Sequence, residues 1–239
     1  MNFEYIDIQV QDDLGIVTMN RAPENRVNGP FIQELTRAFQ VVKEDADIKA
    51  VILGSGLEKF FSNGYDLDWM AANYSDIELI RALLEGASSF LADLCVFPKP
   101  VIAVMNGHTY GEGAFIAGCC DYRIMREDRG WVCFPEVHIN KPFIPGQIAI
   151  MREILSPRAF RDMALFGRRY GGPEALEIGF ADQISPLEEL MDRAKAMAGE
   201  MLAFHPDAFA EIKKRIRSPL AGIIREQDPP VIQRNLGLA

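Results

Sequence analysis

Three short segments join glycine to residues that can carry protons or face negative charge. The first runs Lys59-Phe60-Phe61-Ser62-Asn63-Gly64-Tyr65-Asp66-Leu67, and the second ends in Asn106-Gly107-His108-Thr109-Tyr110-Gly111-Glu112-Gly113-Ala114. The third, Trp131 to Ile139, carries Pro135-Glu136. A glycine cluster that opens a helix leaves backbone N–H groups free at the positive end of the helix dipole, a place suited to an anion or to developing negative charge. Taken alone, Gly111-Glu112-Gly113 reads more readily as a tight strand-to-helix turn, and Glu136 as an exposed loop carboxylate. The Glu112 side chain reads more readily as an acid placed at a helix N-terminus than as a reacting group. The three segments in this order shift the balance toward a site.

The elements that must hold them follow from periodicity. Phe3–Val10 alternates as a strand, Asp12-Asp13-Leu14-Gly15 supplies a turn, and Ile16–Met19 returns. Phe31, Leu35, Ala38, Phe39 and Val42 recur at helical spacing after the start signal Asn28-Gly29-Pro30. Ala50–Leu53 is a buried strand stopped by Gly54-Ser55-Gly56. The pattern returns as a helix over about Ile77–Val96, a strand Val101–Val104, a small-residue helix over Ala114–Cys120, and strands Tyr122–Met125 and Trp131–Phe134. After Gly146 the chain reads as helices, interrupted at Ser156-Pro157, Gly171-Gly172-Pro173 and His205-Pro206. The division expected is a core over residues 1–190 and a helical region with a tail over 191–239. The tail after Ser218, with Pro219 and Pro229-Pro230, is expected to be loosely ordered or ordered by a partner subunit.

Bulk composition narrows the function classes. At 239 residues and 49% hydrophobic content, one large domain with a helical appendage can bury a full core. A net charge of −9 opposes nucleic-acid binding but leaves room for a phosphorylated ligand held by local basic groups. No apolar run reaches the roughly 18 residues of a membrane helix, and Met1-Asn2-Phe3-Glu4 lacks the basic and apolar parts of a secretion signal. Cys95, Cys119, Cys120 and Cys133 lack disulfide or metal spacing, so the expected compartment is reducing and cytoplasmic. His108 reads as structural and Asp66 as the cap of a turn.

Together the motifs resemble the crotonase superfamily, the enoyl-CoA hydratase/isomerase family, over nearly the whole chain. The resemblance also rests on Cys120-Asp121-Tyr122-Arg123-Ile124-Met125 and on Gly172–Gly179 followed by Asp182-Gln183-Ile184. It implies an α/β fold, a crotonase-like spiral of repeated ββα units with a helical C-terminal trimerisation region, and a homotrimer or dimer of trimers. It implies an acyl-CoA thioester as substrate, CoA being part of that substrate, with no separate cofactor, no metal, no nucleic acid and no membrane.

By position, the implied oxyanion hole consists of the backbone N–H groups of Tyr65 and Glu112, where the family commonly keeps glycine at the second position. The implied acid/base is Glu136. The position of a hydratase's other glutamate falls on Phe115, so one carboxylate remains, which is the arrangement of Δ3,Δ2-enoyl-CoA isomerases. Hydration, thioester hydrolysis, decarboxylation and non-catalytic acyl-CoA binding stay open as alternatives. The acyl pocket is expected from Phe115, Trp69, Phe134 and Phe143, with Glu136 set among apolar walls that also include Val137. CoA contacts are expected from Arg26, Val27, Asn63, Gly64 and Lys213, with Lys214 and Arg217 beside Lys213 in a basic patch.

Overall fold

Residues 3–238 are described by the computed structural model; Met1, Asn2 and Ala239 lie outside the described residues, and with them half of the N-terminal stretch read for a secretion signal. Strands β1 (Ile6–Gln11) and β2 (Leu14–Met19) form an antiparallel hairpin. Their turn is Asp12-Asp13 alone, both at positive φ (48° and 65°), the geometry of a two-residue hairpin loop. The turn is shorter than the sequence suggests because Leu14 is already paired with Gln11 and buried.

Helix α1 (Gly29–Glu44) starts where expected, with the Asn28 side chain accepting from the Phe31 N–H. Strand β3 (Ala50–Ser55) is followed by β4 (Phe60–Ser62), a short helix α2 (Leu67–Ala72) and the long α3 (Ile77–Cys95). The unit then repeats as β5 (Val101–Met105), β6 (His108–Tyr110) and α4 (Glu112–Cys119). A third copy comprises β7 (Tyr122–Arg126), β8 (Val132–Cys133) and α5 (Pro145–Ile154). In each unit the first strand joins a large sheet and the second a small one. The large sheet has the order β1-β2-β3-β5-β7-β9, parallel from β2 onward, and the small sheet is β4-β6-β8, all parallel.

Strand β9 (Gln183–Ser185) departs from the all-helical reading of the C-terminal part. It follows α6 (Pro157–Phe166) and α7 (Gly172–Glu177) and closes the large sheet against β7. Asp182, in the segment that carried the resemblance, accepts from the Arg123 N–H at 2.8 Å and pairs with its guanidinium, fixing this register. Helix α8 (Leu190–Met201) then covers the outer face of the large sheet, packing Leu190, Ala194 and Ala198 on Ile16, Ile52, Ile102 and Ile124. With both faces covered, β5 is apolar throughout and β3 is apolar from Ala50 to Leu53, rather than alternating.

Helix α9 (Pro206–Asn235) corrects the expectation for the tail. It continues through Pro219, Pro229 and Pro230 on contacts within the chain, packing against α3 and α5. Each internal proline removes one helical hydrogen bond, so packing must offset the loss. Asp228 is central to that packing: buried at 1% exposure, it accepts from Ser88 Oγ at 2.7 Å and from the Gly146 N–H at 2.6 Å. It thereby caps α5, whose own N-cap Ile144 has no side-chain acceptor. Substituting Asp228→Ala strands a buried N–H and a buried hydroxyl, and a loss of about 1–3 kcal/mol is expected in urea denaturation. An unchanged midpoint would show that the staple contributes nothing.

Candidate active site

The three glycine- and carboxylate-bearing segments leave the carboxyl ends of adjacent strands. β4 runs into Asn63-Gly64-Tyr65, β6 into Gly111-Glu112, and β8 into Phe134-Pro135-Glu136. Parallel pairing, with Phe60 opposite His108 and Tyr110 opposite Cys133, delivers all three turns to one edge of the small sheet. Such an edge is where α/β folds place ligands.

The first turn is held by a loop far away in sequence. Asn25 donates to the Met19, Ser55 and Phe61 oxygens, and the Ser62 hydroxyl donates to Asn25 O at 2.7 Å. Val27 then pairs around Tyr65: its N–H donates to Gly64 O at 2.8 Å, and its C=O accepts from Asp66 N at 2.9 Å. In this parallel bridge both polar backbone groups of Val27 bond to the neighbours of Tyr65, which turns the Tyr65 N–H away from Val27. Asp66 caps α2 by accepting from Trp69 N and is paired with Arg21 at 2.7 Å, the structural role expected of it.

The second donor is the first residue of α4, whose N–H has no intrahelical partner. Among the described residues no acceptor takes the Tyr65 or the Glu112 N–H. The two turns meet at Gly64. A Cβ there would stand 2.9 Å from Tyr110 O and 3.3 Å from Glu112 N, and its φ is +75°. Gly111, at φ +49° and ψ −120°, makes the bend that starts α4. Both backbone conformations favour glycine.

Two carboxylic acids complete the edge. Glu136 is 8% exposed, its Oε1 lies 3.6 Å from where a Cβ on Gly111 would stand, and its buried Oε2 has no hydrogen-bond partner. Burial pushes its pKa up to about 7, with its own backbone N–H pulling the other way. Glu112 is 1% exposed, and neither carboxyl oxygen has a partner in bonding geometry among the described residues. Burial raises it to about 8; the neighbouring Tyr65 hydroxyl lowers it, while the charges of Glu136 and Asp228 raise it further.

These groups line a cavity of about 540 Å³. One wall is Leu67 and Met70 of α2 with Ile80 and Leu84 of α3; another is Ile139–Pro142 with Ile144 and Gln147. The far end is closed by Ile232 and Asn235 of α9 and by Leu236, which the sequence did not point to. Asn63 and Gly64 line the cavity as expected of a ligand contact.

Several expected site residues lie elsewhere. Phe115 and Phe134 are fully buried in the core with ring centroids 4.5 Å apart, and Phe143 packs edge-on to both, so none forms the cavity wall. Trp69 is likewise off the wall and packs on Gly29. Val137 is half exposed and is no apolar wall for Glu136. Val27 offers no free backbone groups, and Arg26 is held by Glu24 and Asp68 at 2.5 and 2.7 Å. Lys213 does not belong to a surface patch; it is 5% exposed and pairs with Asp121 at 2.6 Å. Arg217 beside it donates to Cys119 O. His108 packs among the rings of Phe60, Tyr110 and Trp131, in keeping with a structural role.

The sequence model of the enoyl-CoA hydratase/isomerase family matches residues 9–228. Enoyl-CoA delta isomerase 3 of Arabidopsis thaliana is 29% identical over 224 residues, covering 91% of this chain and 94% of that protein. Carnitinyl-CoA dehydratase of Escherichia coli K12 is also 29% identical, over 202 residues, covering 84% and 76%. The crystal structure of a probable enoyl-CoA hydratase of Mycobacterium tuberculosis superposes with a TM-score of 0.91 at 25% identity, covering 98% and 97%. No helix among the described residues is long and apolar enough to cross a membrane.

The raised pKa of Glu112 has a stability consequence. The unfolded chain releases this proton near 4.5 and the folded chain near 8, so the folded state holds the extra proton between those values and loses stability as pH rises through that window. Glu112→Gln, an isostere of the neutral acid, is expected to fold and to flatten the Tm decline between pH 5 and pH 8. An identical decline in both proteins would contradict the assignment.

Proposed function

The chain belongs to the enoyl-CoA hydratase/isomerase family, and from that premise we propose that it is a Δ3,Δ2-enoyl-CoA isomerase acting through a dienolate. An acyl-CoA thioester enzyme follows from the family; the isomerisation is the finer reading. The observation that carries it is the placement of Glu136, a carboxyl with an unpartnered oxygen standing over the Gly111 bend beside two acceptor-free N–H groups.

The thioester oxygen sits between the Tyr65 and Glu112 N–H groups. Glu136 as carboxylate removes a proton from C2, and the electrons move onto that oxygen to give the dienolate. Protonation at C4 then restores the carbonyl and leaves the double bond between C2 and C3. Fixed N–H dipoles in a water-poor cavity stabilise the developing charge without reorganising, and a donor of this kind is typically worth about 10²–10³ in rate. A pKa near 7 suits the base, since it is charged at neutral pH yet basic enough to take the proton.

Position 115 supports isomerisation over hydration. A hydratase's second glutamate would stand there, and the buried Phe115 offers neither a proton nor a water site. Hydration of a trans-2-enoyl-CoA is the second reading, favoured by one feature, the buried carboxyl of Glu112.

Conversion of a 3-enoyl-CoA to its conjugated isomer is expected, followed by the conjugated thioester's absorbance. Because only the carboxylate form of Glu136 takes a proton, kcat/KM should rise as pH increases through about 7. Glu136→Gln should lower the rate by about 10²-fold or more. Full activity in that variant, or hydration of crotonyl-CoA faster than isomerisation, would contradict the reading.

A further inference from the structure

Glu112 is unexplained by the proposed reaction, which uses only its backbone. The ordinary account of an acid in a helix's first turn is attraction to the dipole from a solvated position. That account fails here, because the residue is 1% exposed and neither oxygen accepts from the free N–H groups of α4; the neighbouring Tyr65 hydroxyl stands outside bonding geometry, and no cation among the described residues offsets the carboxyl. Leaving a buried carboxyl unpartnered is costly, and native folds keep such groups where function uses them.

The surroundings indicate what the group would do. Glu112 lines the same cavity as Glu136, and its backbone N–H is one of the two donors assigned to the thioester oxygen, so its side chain starts one residue's breadth from C1. The charged and titratable groups that reach it or line the cavity with it are Tyr65, Tyr74, Tyr110, Glu136, Asp228 and Lys141. Two buried carboxyls sharing a cavity do not both ionise readily. The group with the more completely buried side chain keeps its proton while the other is charged, which divides the pair into an acid and a base.

We propose that Glu112 is a second catalytic residue: its protonated carboxyl delivers the proton to C4 of the dienolate that Glu136 generates at C2. The inference rests on the isomerase reading above. In the first step the C2–H bond breaks, its proton goes to a Glu136 oxygen, and its electron pair enters the dienolate. In the second, the Glu112 O–H breaks, its proton bonds to C4, and the electron pair stays on the carboxylate as the C1 carbonyl re-forms. Glu136 is then protonated and Glu112 charged. Transfer of one proton between them, directly or through water, restores the starting state with no other reactant. Proton entry at C4 is thus separated from proton removal at C2.

The test uses the whole protein and a 3-enoyl-CoA deuterated at C2. In a single turnover in ordinary water the native enzyme should place no deuterium at C4, because that proton comes from Glu112; transfer of label from C2 to C4 would overturn the proposal. Glu112→Gln should lower isomerisation kcat by about 10²-fold or more while C2 exchange with solvent persists, since Glu136 is intact. It should also abolish the fall in kcat at high pH that deprotonation of a catalytic acid produces. Native isomerisation with an unchanged pH profile in Glu112→Gln would overturn the proposal. So would equal loss of exchange and isomerisation in a variant that unfolds like the native protein, which would assign Glu112 to the oxyanion site instead. Absence of C2 exchange in the native enzyme would contradict Glu136 as base, and the isomerase reading with it.

Discussion

No side chain fits at position 64. The turn after β4 approaches the start of α4 so closely that a β-carbon there would fall 2.9 Å from Tyr110 O and 3.3 Å from the Glu112 nitrogen. This close approach sets two backbone N–H groups side by side with no acceptor among the described residues. Leaving buried donors unpartnered is ordinarily unfavourable, so the arrangement persists only because the rest of the fold enforces it. The parallel pairing of β4, β6 and β8 fixes the height of the two turns, and the bridge from Val27 fixes the rotation of the first.

Burial at the same edge tunes the two acids. Glu136 and Glu112 owe their raised pKa values first to burial. The helices that cause that burial are positioned by contacts remote from the chemistry. Asp228 ties α9 to α3 and to the start of α5, and the end of α9 closes the cavity with Ile232 and Asn235. Apolar side chains from α2, α3 and α9 line the cavity, and its edge at the small sheet consists of backbone atoms and two carboxyls.

Much of this was legible in the chain. The strand–helix alternation, the start signal at Asn28 and the interruptions at Ser156-Pro157 and Gly171-Gly172-Pro173 placed the larger elements, and the three motif segments named Gly64, Glu112 and Glu136. What escaped did so for physical reasons. β4 and β6 are three residues each, too short for any period to register, yet they bring the motifs together. α4 is buried at every position, so no periodicity distinguishes the cavity side from the core side, and Phe115 is read as pocket when it is core. The role of Lys213 depends on Asp121, 92 residues away, and a charge on a late helix otherwise looks solvated. Prolines 219, 229 and 230 read as helix breakers because local propensity does not register the packing of α9 on α3 and α5. Glu112 is the most informative of these departures, since the residue that fits the local rule for a helix N-terminus breaks the rule on buried carboxyls.

The central claim is that the Tyr65 and Glu112 N–H groups hold the thioester oxygen. It is tested most directly by the infrared difference spectrum of an acyl-CoA, labelled with carbon-13 at the thioester carbonyl, bound to the intact protein. Two short hydrogen bonds in a water-poor cavity polarise the carbonyl more than water does. The account predicts a carbonyl band at lower wavenumber in the complex than for the same ester free in water. A bound ester whose carbonyl absorbs at or above its position in water would contradict it.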